Sequence, residues 1–132
     1  MRYLFDASSI FEIIKTENLK SLVDGCTTDL ARFELGNVVW KEVNLTKKLS
    51  PNEGERIIAL IMNALGLMDI VETLDLKGIL LFANKHKLTY YDASYAYAAI
   101  KNKLVLVTED NELSKNSSGF TKVVTARDVR AG

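Results

Sequence analysis

The 132-residue sequence has one cysteine, Cys26, and one histidine, His86. A single cysteine cannot form an intrachain disulfide, and without further His or Cys residues nearby it does not suggest a zinc site. We expect Cys26 to be a small buried hydrophobic residue. His86 is predicted to lie at the end of a helix, which favours a surface residue over a catalytic base.

An excess of charge of one sign is also missing, because 17 basic and 17 acidic residues give a formal net charge of zero. Bulk charge therefore argues neither for nor against a nucleic-acid partner, and binding would need a local basic patch. Two basic groups are present, Lys85-His86-Lys87 and Lys101 with Lys103. Solvated surface is the simpler interpretation of both groups.

No apolar run approaches the length of about 20 residues that a membrane-spanning helix needs. The first residues already have the pattern of a strand, and no signal-peptide pattern precedes it. We therefore expect a cytoplasmic protein with no membrane association. Hydrophobic residues form 48% of the chain, which is enough for a buried core, and residues 1–132 are assigned to one domain.

Short apolar runs alternate with helical patterns along the chain. Strands are predicted at residues 2–6, 26–28, 68–72, 104–107 and 122–125. Helices are predicted at residues 7–15, 17–23, 29–43, 51–65, 75–85 and 92–101, with one helical turn at 109–113. The 29–43 helix is apolar around most of its circumference, so we expect it to be largely buried. This alternation predicts an α/β fold, with a parallel sheet and helices on both faces.

Several carboxylates lie where a strand gives way to a helix. Asp6 ends the first strand, Asp110 follows a late strand, and Asp92 opens a predicted helix, while Glu34 lies on the polar stripe of the 29–43 helix. The carboxyl ends of parallel strands share one edge, where ligands bind. Acids gathered there would repel one another unless a cation joined them, and carboxylate oxygens suit Mg²⁺ or Mn²⁺. Taken singly, each of these acids could instead cap a helix or face solvent.

Three other α/β classes need motifs that this chain lacks. Phosphatases related to haloacid dehalogenases need Asp-x-Asp after the first strand, where this chain has Asp6-Ala7-Ser8. Receiver domains need a pair of acids at that position, and the pair is absent. No Gly-rich phosphate loop follows the strand, which disfavours a dinucleotide site.

Four segments, in this order and at these spacings, resemble the PIN domain family, and particularly the toxin nucleases of VapBC-type toxin–antitoxin pairs. The segments are Leu4-Phe5-Asp6-Ala7-Ser8, Glu34-Leu35-Gly36-Asn37, Tyr91-Asp92-Ala93-Ser94-Tyr95 and Thr108-Glu109-Asp110. The resemblance covers essentially the whole chain. It implies one compact PIN-like domain with a parallel sheet of about five strands and helices on both faces.

The resemblance also assigns roles to individual residues. It implies that Asp6, Glu34, Asp92 and Asp110 are the catalytic residues and hold the metal. Polar residues beside them would orient the carboxylates or a water; these residues are Ser8, Asn37 and Thr108. The tyrosines near Asp92 are interpreted as packing residues.

The function implied by the resemblance is a Mg²⁺- or Mn²⁺-dependent endoribonuclease, the toxin of a type II toxin–antitoxin pair. Its partners would be an RNA substrate, a small antitoxin protein and a second copy of the chain in a homodimer. The alternative is a non-catalytic PIN module that binds RNA or a protein partner. Because like charges in a metal-free cleft oppose folding, Asp6→Asn is expected to raise the melting temperature.

Overall fold

Five short strands form one parallel sheet in the computed structural model, which describes residues 2–129. The strands are β1 (Tyr3–Phe5), β2 (Cys26–Thr28), β3 (Asp69–Val71), β4 (Val105–Val107) and β5 (Val123–Val124). Their order in the sheet is β3-β2-β1-β4-β5, and all neighbours are parallel. The predicted α/β fold with a five-stranded parallel sheet is confirmed. The ends of the predicted domain, residue 1 and residues 130–132, lie outside the described residues.

Six α-helices connect and follow these strands. They are α1 (Ala7–Lys15), α2 (Leu30–Asn44), α3 (Pro51–Gly66), α4 (Leu76–His86), α5 (Tyr90–Lys101) and α6 (Asn111–Ser117). Two 3-10 turns, Leu19–Leu22 and Ala126–Asp128, complete the described part of the chain. The chain leaves β1 towards β2 and β3, then returns to β4 and β5 on the other side. The order therefore reverses beside β1, and the crevice at such a reversal is where open α/β sheets bind ligands.

The core lies around β1 and β4. Leu4 and Phe5 of β1 and Leu106 and Val107 of β4 are fully buried. One face of α1 packs onto these strands, and small alanines let α5 approach the sheet closely. Cys26 is buried on β2, as predicted. Within residues 2–129, no helix has the length and apolar character needed to cross a membrane.

Helix α2 is the main departure from the expected burial. We predicted a largely buried helix, but Phe33 is 66% exposed and Trp40 is 52% exposed. Only Ala31, Leu35 and Val39 are buried, at a spacing of four residues. Two further apolar residues of the helix are only partly buried against the core, so the helix displays much of its apolar surface. The number of apolar residues around a helix does not show how much of the helix surface other elements cover.

Helix α5 begins earlier than predicted. Thr89 is its N-cap, and the Thr89 side chain accepts a hydrogen bond from the backbone N–H of Asp92 at 3.1 Å. Asp92 therefore lies in the first turn and does not open the helix as expected. A capping role for the Asp92 carboxylate is excluded, because Thr89 occupies the cap position. The carboxylate is left to face the crevice beside β1.

Candidate active site

The structure brings all four predicted acids to one cavity of about 270 Å³ at the carboxyl edge of the sheet. Asp6 directly follows β1 and Asp110 comes shortly after β4, while Glu34 and Asp92 project from α2 and α5. Ser8 and Asn37 line the same cavity. Thr108 lies behind it, hydrogen-bonded to Asp6.

Asp6 is the most firmly held of the four. Its Oδ1 accepts hydrogen bonds from Ser8 Oγ at 2.7 Å and from the Ser9 N–H at 2.9 Å, and its Oδ2 accepts one from Thr108 Oγ1. Asp6 also caps α1, so the capping interpretation is correct and coexists with its place in the cavity. Burial of the carboxylate raises its pKa, and these hydrogen bonds oppose the rise. Because Asn could not accept all three bonds, Asp6→Asn is a poor choice for relieving charge repulsion.

Asp92 carries the clearest sign that the acids interact. Its carboxylate is half-buried, and burial together with the negative charges of Asp110, Asp6 and Glu34 raises its pKa from 3.8 to about 6. Burial is the largest cause, and the three neighbouring acids follow. Strong perturbation by desolvation and like charges is typical of functional clefts. A nearby positive charge would therefore stabilise the ionised form of Asp92.

Glu34 has a partner that the sequence analysis missed. Tyr95 Oη donates a hydrogen bond of 2.7 Å to Glu34 Oε1, and the tyrosine side chain is buried. Burial raises the pKa of the Glu34 carboxyl, and the hydrogen bond from Tyr95 lowers it. Tyr95 was interpreted as a packing residue. The usable signal was its position three residues after Asp92, which places both side chains on one face of α5.

Asp110 and Glu109 are neighbours with different surroundings. Asp110 lines the cavity and caps α6, with its Oδ1 accepting the Leu113 N–H at 2.9 Å. The Glu109 carboxylate turns away and accepts the backbone N–H of Ala126 at 3.1 Å. Thr108 Oγ1 accepts the Asp110 N–H at 3.0 Å, so Thr108 connects the loop of Asp110 to Asp6.

The spacing of the acids is wider than that of a closed metal site. Among residues 2–129, no three His, Cys, Asp or Glu side chains lie close enough together to hold a metal ion. Four like charges repel at short range, and a cation is what offsets that repulsion. The donors themselves fit a hard divalent cation, because they are carboxylate oxygens with no sulfur or imidazole among them.

One cationic side chain borders this acidic cavity. Lys41 lies two turns after Glu34 on α2, and among the described residues that line the cavity it alone is positively charged. The sequence pattern assigned no role to Lys41. Its ammonium group adds a donor for an anionic ligand at the rim of the acids.

Comparison with known protein families matches residues 3–118 to the PIN domain. The chain belongs to the PIN domain family. It is also similar to a protein named exonuclease VapC9 from Pyrobaculum aerophilum, with 32% identity over 127 residues, 95% of this chain and 92% of that protein. The family resemblance found in the sequence is thus confirmed.

Solved structures agree with this membership. The crystal structure of PAE2754 from Pyrobaculum aerophilum has a TM-score of 0.82 and 30% identity, covering 97% of this chain and 94% of that one. The structure of DNA-bound VapBC from Salmonella typhimurium has a TM-score of 0.68 over 96% of this chain and 98% of that one. At 16% identity the second likeness shows the fold alone.

Proposed function

We propose that this PIN-domain protein is a metal-dependent endoribonuclease and the toxin of a type II toxin–antitoxin pair. The observation that carries the proposal is the set of four carboxylates, Asp6, Glu34, Asp92 and Asp110, that line one cavity at the reversal of strand order. The similarity to a VapC protein over nearly the whole chain supports the same function.

The same four acids would hold Mg²⁺ or Mn²⁺. When bound, the divalent cation supplies the positive charge that acidifies an attacking water and stabilises the leaving oxygen. Asp6 is fixed before any ligand arrives by its bonds to Ser8, Ser9 and Thr108. Tyr95 holds one oxygen of Glu34 and leaves the other free.

Lys41 would act on the substrate and not on the cation. Its ammonium group borders the cavity, where it can pair with a phosphate oxygen of the RNA as the phosphate approaches the acids. Asn37, which lies between Glu34 and Lys41 along α2, adds an amide that can donate to the same phosphate or to a water. Lys41 and Asn37 would thus hold the phosphate on one side of the cavity, with the four acids on the other.

RNA cleavage by the purified chain tests the function. Single-stranded RNA labelled at one end should be cut with Mn²⁺ or Mg²⁺ present, and EDTA should stop the reaction. A circular RNA of the same sequence decides the mode, since an endonuclease opens the circle and an exonuclease cannot begin on it. This comparison is needed because the similar protein from Pyrobaculum aerophilum is named an exonuclease. RNA that is bound but left intact with either metal would contradict the proposal and favour the non-catalytic module.

Tyr95→Phe provides a prediction for the residue that the sequence did not reveal. Loss of the hydroxyl leaves Glu34 without its donor, so the metal concentration for half-maximal cleavage should rise by about 10–100-fold. Tyr97→Phe is the matched control, because Tyr97 also donates to a carboxylate, that of Asp75, but lies outside the cavity. Metal titrations of cleavage would measure both variants. If both variants reach half-maximal cleavage at the same metal concentration, Tyr95 does not support Glu34 in metal binding.

A homodimer and an inhibitory antitoxin complete the proposal. Helix α3 buries Ile61 but leaves Ile58, Leu60 and Met62 exposed, the last by 68%. We expect a dimer in light scattering at micromolar concentration, and Met62→Glu should shift the mass to that of a monomer because it places a charge in an apolar contact. Asn84→Glu adds the same charge at an exposed site on α4, outside α3, and serves as control. A parent protein that is monomeric would refute the dimer.

The antitoxin would cover exposed apolar residues such as Phe33 and Trp40 of α2 and present a basic side chain to the acids. Arginine suits that role, because its planar fork bonds carboxylates in pairs.

A further inference from the structure

The fold brings Lys103 of one basic group close to the other group, Lys85-His86-Lys87, through the ring of Phe120. Lys101 lies apart from them, over the ring of Tyr97. Lys103 precedes β4 and Lys122 precedes β5, so both lie at the amino edge of the sheet, opposite the edge that carries the acids. They line a cavity of about 320 Å³ together with Phe120. The separation of the two edges places the acidic cavity and these lysines on different sides of the molecule.

Phe120 joins this cavity to the end of α4. Its ring is 52% exposed, and its centroid lies 4.5 Å from that of His86 and 5.6 Å from that of Phe82. His86 is the last residue of α4, with Lys85 and Lys87 on either side of it. The basic–aromatic surface is defined by Lys85, His86, Lys87, Lys103, Phe120 and Lys122.

The positive charge of this surface is not neutralised by the fold. The ion pairs within residues 2–129 are Arg2–Asp69, Lys15–Glu12 and Arg32–Asp29. Lys85, Lys87, Lys103 and Lys122 take part in none of these pairs, and all four are exposed. A chain of zero net charge thus places unpaired cations around one exposed aromatic ring.

We propose that the basic–aromatic surface binds the backbone of single-stranded RNA, with Phe120 stacking on a base. This inference rests on the proposed function, for which the surface would hold a part of the substrate away from the bond that is cut. Grooves that bind single strands combine lysines along the phosphates with aromatic rings that accept any base. The acidic cavity repels phosphates, so affinity for a long RNA has to come from elsewhere on the molecule.

The test is RNA binding in EDTA, where cleavage plays no part. Fluorescence anisotropy with a labelled 20-nucleotide RNA would compare the parent with the triple variant Lys87→Gln, Lys103→Gln, Lys122→Gln. The triple variant should bind at least about 10-fold more weakly. Its slope of log Kd against log salt should fall by about 2, because each lysine that pairs with a phosphate of a single strand adds roughly 0.7 to that slope. Phe120→Ala should weaken binding by about 5–100-fold without changing the slope, and Phe120→Tyr should restore it.

The matched control is Lys20→Gln, Lys47→Gln, Lys48→Gln, which removes the same charge at exposed sites outside this surface. Lys47 has a positive φ of 58°, as Lys87 and Lys103 do at 56° and 55°, so the control also includes a position with left-handed backbone, one against two in the test variant. Circular dichroism would verify that each variant is folded. The control should keep the affinity of the parent.

Three results would overturn the inference. The first is an RNA affinity of the triple variant Lys87→Gln, Lys103→Gln, Lys122→Gln that equals that of the parent. The second is loss of binding in this variant and in the control to the same extent, which would mean that only total charge matters. The third is tighter binding of a 15-residue poly-glutamate peptide than of RNA at equal salt, which would identify an acidic protein as the occupant. Failure of the nuclease proposal would differ, because RNA would then bind through this surface and stay intact with metal.

Discussion

Asp92→Asn is expected to reduce metal-dependent RNA cleavage at least ~100-fold while leaving the fold intact. Replacing groups that only support metal ligands commonly costs about 10–100-fold, so removing a carboxylate that we propose as a ligand should cost more. The change is nearly isosteric, and the backbone N–H of Asp92 keeps its bond to Thr89. Initial rates with a labelled RNA at saturating Mn²⁺ would measure the loss.

Asp24→Asn is the matched control for this change. Asp24 is exposed, lies outside the acidic cavity and has a positive φ of 63°, which asparagine tolerates well. The RNA cleavage rate of Asp24→Asn should equal that of the parent. If Asp92→Asn cleaves as fast as Asp24→Asn, the activity belongs to a contaminant or to another site.

The second large effect is a loss of stability between about pH 4 and pH 7 in metal-free buffer. The pKa of Asp92 is about 6 in the folded chain, against an ordinary value of 3.8. Between these values the folded protein keeps a proton that the unfolded chain has released, so the free energy of unfolding falls as pH rises. The shift corresponds to about 3 kcal/mol, which we reduce to roughly 1–2 kcal/mol because the group is only half-buried.

Urea unfolding at pH 4.5 and pH 7 in EDTA would measure this loss. Asp92→Asn should be more stable than the parent at pH 7 and should lose less stability over the range. Mn²⁺ should raise the melting temperature of the parent at pH 7 and that of Asp92→Asn much less, since a ligand that binds only the folded state stabilises it. A parent with flat stability across the range and no response to Mn²⁺ would mean that the acids do not share a site.

The expected outcome for Asp6 changes once its contacts are known. The sequence suggested that Asp6→Asn relieves repulsion and raises the melting temperature. In the structure Asp6 accepts three hydrogen bonds and caps α1. An amide would leave at least one buried donor without a partner, at a cost of about 1–3 kcal/mol. We therefore expect Asp6→Asn to lower stability and Asp92→Asn to raise it.

Features that depend on residues close together in the sequence were predicted well. The helix predicted at 51–65 begins at Pro51 as expected, where Ser50 and Glu53 form a capping box. The alternation of apolar runs and helical patterns predicted the parallel sheet, since each element is set by a period within its own segment. The boundary of α5 was missed by two residues because Thr89 competes with Asp92 as a cap, and helix ends are decided by small energy differences.

The sequence by itself determined the fold class and the family, and it singled out the four acids that line one cavity, because these depend on local periodicity and on residues in a fixed order. Only the tertiary structure decided which side chains meet. Tyr95 reaches Glu34 across 61 residues, and Phe120 joins His86 to Lys103 through three separate segments. The tertiary structure also leaves Phe33 and Trp40 of α2 exposed. Such contacts depend on how elements pack against one another, and packing is a property of the whole chain that no local pattern contains.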